Sequence, residues 1–469
     1  MAANIKQYIE QALATLNLKE GCKLVLAYSG GVDSESLAHG LSLFAESHSE
    51  FQYLLLHVHH GLSQNADSWI EHCTERANIY HLPLKVCRVK VAQGPRLSVE
   101  AEARKSRYAA IIDNMSAGDV LLTAHHEDDQ LETLLLAIKR GQGPKGLACM
   151  GEVQSFDKDK CIVRPILSLS RVQIEEYAAH FGFSHVEDES NHDNHYDRNF
   201  LRNVVIPQLK SRWPSFASTA SRSASLCAEQ QQALNEEVSS RLATMVLSAS
   251  YGNQLGLDID KLSKQSQPWQ HLLLRGFIEL QHLPMPSQVQ LKEILNQLCQ
   301  SRADAKVELQ FASLLIRRFQ HTCYAFDYHH EQQIQESIKA SIPIEIEIES
   351  LKLKGAQQIL KMGVNDIAFD SSKDGIRVTM SASKEKITLG YAHHFNLSSS
   401  HKCHPHFRSK KRELKKIWQE LAIPFWLRQR VPLVFCGDHL VAAIGLWIES
   451  DYLAKENELG ISFKNLTVK

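Results

Sequence analysis

Along residues 20–210, short apolar runs alternate with stretches of helical spacing. KLVLAY (23–28), FQYLLLHV (51–58), LKVCRVKV (84–91) and DVLLTAH (119–125) are rich enough in apolar side chains to be buried strands. Between them the period changes: in SESLAHGLSLFAES, Leu37, Leu41 and Phe44 fall on one helical face. Strands and helices in alternation predict an α/β domain with a parallel sheet covered on both sides.

Near Trp213-Pro214 the pattern shifts. A Ser/Ala/Gln/Glu-rich stretch, 215–245, predicts one long linking helix. Residues 246–330 are rich in Leu and Gln at helical spacing (WQHLLLRGFIEL, VQLKEILNQL) and end in strand-like AKVELQF and CYAFDY. They predict a mainly helical middle domain. Residues 331–375, with the alternating PIEIEIESLKLK, read as irregular. Residues 376–469 predict a small α+β domain with strands in VPLVFCG and HLVAAIGLWI. The expected division is therefore 1–214, 215–245, 246–330 and 376–469. A length of 469 residues agrees with several domains.

Composition narrows the class. Hydrophobic residues at 43% and charged residues at 22% are ordinary for a soluble globular protein. No apolar run approaches the roughly 18 residues of a membrane helix. Glu10 interrupts what would be the apolar core of a signal peptide, so the N-terminus reads as an amphipathic helix. The ten Cys are dispersed without a CxxC pair, which argues against a zinc ribbon or a disulfide framework. The expectation is a cytoplasmic protein. A net charge of -1 gives no global signal of a nucleic-acid partner, so such a signal must be local.

The sharpest local feature is Ser29-Gly30-Gly31-Val32-Asp33-Ser34, placed between a strand and a helix. Its glycines permit positive φ and close approach of backbone to a ligand. The amides opening the following helix favour an anion, and Ser29 and Ser34 add hydroxyls. Asp33 suits such a site if Mg²⁺ bridges it to phosphate oxygens. The loop is not a Walker A motif, because GxxxxGK[ST] is absent. The pattern resembles the PP-loop ATP pyrophosphatases, which implies ATP cleavage between the α- and β-phosphates and adenylation of an oxygen.

A second cluster, His125-His126-Glu127-Asp128-Asp129 with Glu132, lies where a strand gives way to a helix. Asp128, Asp129 and Glu132 share a side and suit a cationic amine. His125 and His126 are placed to move a proton. A third cluster ends in Arg198 and Arg202, four apart, which suits a phosphate or a developing negative charge. In HVHHGLS, Val58 offers backbone groups for an adenine edge, while its histidines are as readily structural. Arg107, in EARKSRY, divides between ligand contact and a salt-bridged surface.

SGGVDS, HVHHGLS, EARKSRY, TAHHEDDQLET, RGQGPKGL, RPIL and DESNHDNHYDRNFLR occur in an order and spacing that resemble the tRNA(Ile)-lysidine synthetases. The resemblance spans the chain and is strongest over 24–203 and 401–447. It implies an adenine nucleotide α-hydrolase-like, Rossmann-like N-terminal domain. It also implies an ATP-dependent ligase that acts on the wobble cytidine of the CAU-anticodon isoleucine tRNA. The C2 oxygen attacks the α-phosphate and pyrophosphate leaves; the L-lysine ε-amine then attacks C2 and AMP leaves. In that frame Ser29, Gly30, Gly31, Val32 and Ser34 bind phosphates and Asp33 uses Mg²⁺. Asp129 and Glu132, supported by Asp128, hold the amine or the base, and Arg198 or Arg202 stabilises the α-phosphate. Another tRNA-modifying activity of this fold, thiolation of bases, wants paired Cys that this chain lacks. The oligomeric state is left open, a homodimer included.

A tRNA needs more surface than one base. Residues 401–430 carry nine Lys/Arg against two Glu. Lys402, Arg408, Lys410, Lys411, Lys415, Arg428 and Arg430 are the expected phosphate contacts, beside Trp426 for stacking. Leu414, Ile417, Trp418 and Leu421 form the inward face of a helix expected to start near Ser409.

Overall fold

The computed structural model describes residues 3–61, 63, 65–92, 94, 99–157, 159–248, 254–302, 306–346, 358–373, 376–379 and 387–467. The chain divides into two compact units, residues 1–234 and 235–469.

In the first unit, strands β1 (Lys23–Ala27), β2 (Gln52–His59), β3 (Leu84–Arg88), β4 (Val120–Leu122), β5 (Val153–Phe156) and β6 (Lys160–Val163) form one sheet of order β3-β2-β1-β4-β6-β5. All neighbours are parallel except β5 against β6. The apolar runs are continuous because both faces are covered. Leu24, Leu26, Leu55, Val120, Leu122 and Val163 pack with α1 (Ile5–Ala14), α2 (Val32–Ala45) and α3 (Ala66–Ile79). Val25, Leu56, Leu121 and Ile162 face the other way, with Ile111 of α4 (Val99–Ile112). Each such side chain contributes on the order of 1.5–3 kcal/mol by burial. The amphipathic reading of the N-terminus holds: Ile5, Ile9, Ala12 and Leu13 are the buried stripe of α1.

The chain builds β1, β2 and β3 outward, then returns to the opposite side of β1 for β4. A crevice opens at such a reversal, at the carboxyl ends of the strands. The loop Ser29–Ser34 leaves β1 there, and His125–Asp129 leaves β4 into α5 (Glu127–Lys139). Helices α6 (Pro144–Leu147), α7 (Arg171–Phe181), α8 (Asp197–Phe200) and α9 (Ile206–Arg212) follow, and a π-helical turn at Leu201–Val205 joins the last two. The predicted linking helix is α10 (Phe216–Ala243).

In the second unit, helices α11 (Ile259–Ser263), α12 (Gln267–Leu280) and α13 (Gln288–Gln300) accompany a five-stranded antiparallel sheet, of which only two strands were read from sequence. The region 331–375 is not irregular as expected. Tyr328–Ala340 forms helix α14, and Asn365–Ser372 pairs with Gln358–Met362 and Gly460–Asn465. The helix escaped notice because its inward face carries Glu331 beside Ile338, and an ionisable residue scores as outward. Residues 347–354 of the alternating stretch lie outside the described residues. The basic helix begins at Leu414, five residues later than expected, because Arg412–Glu413 pairs with Lys402–Cys403 as a short ribbon.

Candidate active site

The loop after β1 is held from within. Gly30 has φ +84°, and a Cβ there would stand 2.9 Å from Cys73 Sγ, so only glycine fits. The Ser34 hydroxyl is buried. It accepts the amides of Ser29 (3.2 Å) and Gly30 (3.1 Å) and donates to the Gly31 carbonyl (3.0 Å). Ser34 thus shapes the loop rather than facing its mouth. Ser29 Oγ lies 3.0 Å from Ser34 Oγ and accepts the Gly31 amide. Val32 is buried and offers only its amide, one of the first-turn amides of α2 that have no acceptor within the helix. These amides and the positive end of the helix favour an anion. Val58 belongs to the residues of β2 whose backbone faces β1, as Leu56 does when it accepts the Tyr28 amide. Because β1 ends at Ala27, the backbone of Val58 is directed past it, into the crevice.

Beneath the loop lies a network that was not read from sequence. Glu35, fully buried in the first turn of α2, accepts from Tyr28, from Tyr80 (2.5 Å) and from Arg76 Nε (2.5 Å). It ties the loop's two ends to α3. Glu35 is indistinguishable in sequence from an exposed helix-dipole carboxylate, so no local signal marks it.

The acidic and arginine clusters, read as separate, form one ion-pair network. His126 caps α5: its Nδ1 accepts the Asp128 amide (3.2 Å) and its own amide donates to Asp129 Oδ2 (3.0 Å). With Nδ1 an acceptor, the ring proton sits on Nε2, which lies 3.7 Å from Asp33 and 3.5 Å from Asp129. One imidazole therefore spans the nucleotide-loop carboxylate and the acidic helix. Burial raises the pKa of Asp129, but His126, the His126 amide and Arg202 outweigh it and hold the carboxyl below its usual range. His125, bonded to Thr123 Oγ1 at 2.9 Å, is kept neutral by burial first and by Arg164 among neighbouring charges, against the pull of Asp129.

Glu132 differs from the expectation. Its side chain is 1% exposed. Arg202 holds both its oxygens (2.6 and 3.1 Å) and Arg198 stands at 3.5 Å, so it is closed to a substrate amine. Asp128 is likewise engaged, by Lys210. Glu132 orients the two arginines, and Asp129, its side chain 14% exposed, keeps Arg202 on Oδ1 at 3.2 Å and the His126 amide on Oδ2 at 3.0 Å. Asp33 is not free either: Arg171 Nη1 donates to both its oxygens at 2.9 and 2.8 Å. Arg171 was missed because it sits four residues beyond RPIL, on a helix whose start looks ordinary in sequence. Arg107 donates through Nε to His60 Nε2 at 3.3 Å and is not salt-bridged to any described residue. Burial, then the Arg107 charge, pushes His60 down to about 4.

In the second unit the basic stretch separates into two sets. Lys402, Lys410, Lys411 and Lys415 are exposed, and so is Phe407. Arg430 is not a surface residue: its guanidinium lies against Glu331 of α14 at 2.6 Å, with Arg317 on the same carboxylate at 2.9 Å. Trp426 is buried against Phe319, Tyr324 and Phe326, so it cannot stack on a base. Arg408 is half-buried and paired with Glu420, and Arg428 donates to the Ile423 carbonyl at 3.0 Å. The expected phosphate contacts narrow to the lysines, with Phe407 as the exposed aromatic beside them. Periodicity cannot distinguish these sets, because Arg428 and Arg430 lie past the helix end.

Comparison with known proteins decides among activities of this fold. Residues 1–209 match the PP-loop domain, 257–324 the TilS substrate binding domain and 395–465 the TilS substrate C-terminal domain. The chain is 49% identical over 463 residues to a tRNA(Ile)-lysidine synthase of Shewanella woodyi, covering 98% of this chain and 96% of that protein. It belongs to the tRNA(Ile)-lysidine synthase family. Proteins of the same name from Shewanella oneidensis (48%) and Escherichia coli O157:H7 (36%) also align over 98% and 94% of this chain and 98% and 96% of their own lengths. Membership implies the use of ATP. In this family member the PP-loop match contains the crevice just described except Lys210, and the C-terminal match contains Lys402, Lys410, Lys411 and Lys415. Among the described residues no helix is long and apolar enough to cross a membrane.

Proposed function

We propose that the crevice carries out the two half-reactions of lysidine synthesis, ATP-dependent and directed at the wobble cytidine of the CAU-anticodon isoleucine tRNA. The observation that carries this reading is His126 Nε2, set between Asp33 at the phosphate loop and Asp129 at the acidic helix. Activation and substitution then share one centre. In the first step the cytidine C2 oxygen bonds to the α-phosphorus and pyrophosphate departs. The loop amides and Arg202 or Arg198 bear the added negative charge. In the second step the lysine ε-ammonium docks on Asp129 and gives up a proton, which neutral His125 relays to solvent because burial keeps it from holding the charge. The amine then bonds to C2 and AMP leaves with the oxygen. Lysidine in place of cytidine switches both codon reading and amino-acid identity from methionine to isoleucine.

Mg²⁺ fits the donor set. It commonly takes one or two carboxylates together with phosphate oxygens, and Asp33 is a partly exposed carboxylate in the first turn of α2, beside the loop. When bound, the ion would neutralise phosphate charge, with Arg171 sharing Asp33.

Incubation with ATP, lysine and total tRNA, followed by nucleoside mass spectrometry, is expected to give a lysine adduct on cytidine. No adduct under conditions where tRNA binds would overturn the reading. For the RNA surface, Lys410→Ala with Lys411→Ala should weaken tRNA binding and reduce the slope of log K against log salt by roughly 1 to 2. An unchanged slope in a salt titration would remove these lysines from the interface.

A further inference from the structure

The phosphate loop is bracketed by two residues that meet below it. Tyr28 immediately precedes Ser29, and Glu35 immediately follows Ser34. The Tyr28 hydroxyl donates to Glu35 Oε2, so one hydrogen bond closes the loop across its ends. Tyr28 is 2% exposed and Glu35 is 0% exposed. The other carboxylate oxygen, Oε1, accepts from Arg76 Nε and from the Tyr80 hydroxyl, each at 2.5 Å. Arg76 lies in α3 and Tyr80 just beyond it. Arg76 is steadied in turn by the Tyr80 ring at 4.9 Å and by its own Nη2 bond to the Tyr80 hydroxyl at 2.6 Å. Stability alone does not ask for an acid at such a position, because a buried ion pair is often matched or bettered by apolar residues of similar volume.

The polar groups of the loop are arranged to suit an anion. The Gly30 carbonyl accepts the Val186 amide at 2.9 Å. The Gly31 carbonyl accepts the Ser34 hydroxyl at 3.0 Å and the Glu35 amide at 2.9 Å. Both carbonyls are thereby engaged by the protein, which keeps their negative ends off an incoming phosphate and leaves the first-turn amides of α2 to meet it. Ser34 sets the inside of this turn. The Tyr28–Glu35 bond lies outside it and fixes how far apart its two ends stand.

We propose that Glu35 is a positioning residue for ATP: through Tyr28 it holds the ends of the phosphate loop at the separation that presents preformed amides, with Arg76 and Tyr80 anchoring the carboxylate to α3. This role rests on the reading of the loop as the nucleotide site of lysidine synthesis. Glu35 is closed off from any reacting atom. Opening the clamp should therefore weaken ATP, which must then order the loop as it binds, and leave turnover at saturating ATP intact.

The two tyrosines control for one another. Each donates one hydroxyl to the same carboxylate, but only Tyr28 adjoins the loop. In tRNA-dependent pyrophosphate release by the full chain, Tyr28→Phe should raise the KM for ATP roughly 10-fold, about what one hydrogen bond to a charged group is worth, with kcat and the KM for tRNA within about twofold. Tyr80→Phe should lower the melting temperature comparably and leave the KM for ATP within about twofold. Equal rises in both variants, or no rise in Tyr28→Phe, would overturn the role. If Tyr28→Phe does not fold, Glu35→Gln and Glu35→Leu decide. Gln can still bond Tyr28 and should keep the KM for ATP, Leu cannot and should raise it, and equal values overturn the role. Equilibrium dialysis against labelled ATP reads the same ranking without turnover. The ranking present with no lysine adduct on cytidine would sink the lysidine reading and sustain the clamp. An adduct formed with the ranking absent would sink the clamp alone.

Discussion

Asp33→Ala is expected to lower tRNA-dependent pyrophosphate release by roughly 10³-fold while tRNA affinity stays within about twofold, reckoned from the loss of one pre-set charge-stabilising group. Asp33 occupies the first turn of the helix that opens from the phosphate loop, where it holds Arg171 and faces His126 Nε2. Its removal takes away the carboxylate proposed for Mg²⁺ and frees Arg171 to turn away. The fold should survive. Arg171 is partly exposed and can be hydrated, His126 keeps its bond to the Asp128 amide, and the Glu35 network below the loop is untouched. The exposed lysines belong to the other compact unit, so RNA affinity should persist. Pyrophosphate release and filter binding on one preparation check both halves. Lost tRNA binding with normal pyrophosphate release would mean that the roles of the units are reversed.

The second large effect concerns stability. Glu331→Ala should destabilise residues 235–469 by roughly 3–5 kcal/mol, the cost of stranding buried charges. The Glu331, Arg317 and Arg430 side chains are 5%, 8% and 10% exposed, and one carboxylate serves both guanidiniums. Arg317 keeps Glu308 at 2.8 Å and lies 5.4 Å from the Trp426 ring centre, which offsets part of the loss and favours the lower end of the range. Trp426 is therefore also a reporter. In urea, its fluorescence transition should move to lower denaturant while ATP binding by the first unit is retained. A shift worth less than about 1 kcal/mol would show that the pair is hydrated and carries little.

How far the sequence could be read varied with the range of the interaction. The strands were legible as continuous apolar runs because both faces of the parallel sheet are buried. The loop Ser29–Ser34 was legible because its glycines and hydroxyls act within six residues. The clusters around Asp129 and Arg202 were legible as candidates, but not as partners. Seventy-three residues separate their contacting atoms, and no periodicity encodes that distance. The reading of Glu132 as an amine ligand failed for this reason: an acid facing inward on α5 looks the same whether it meets a substrate or an arginine. Arg430 and Trp426 failed similarly, since charge density in 401–430 says nothing about the carboxylate on α14 or the aromatics of the middle sheet.

By itself, the sequence determined the strands and helices of the parallel-sheet domain, the phosphate loop and the family, because these depend on local backbone preference, apolar period and motif order. Only the tertiary structure decided which charges neutralise one another and which remain unpaired. Ion pairing is set by side chains brought together from distant segments, and burial turns a weak surface interaction into a strong constraint. That is why Arg202 emerged as the partner of Glu132 and His126 as the link between two carboxylates.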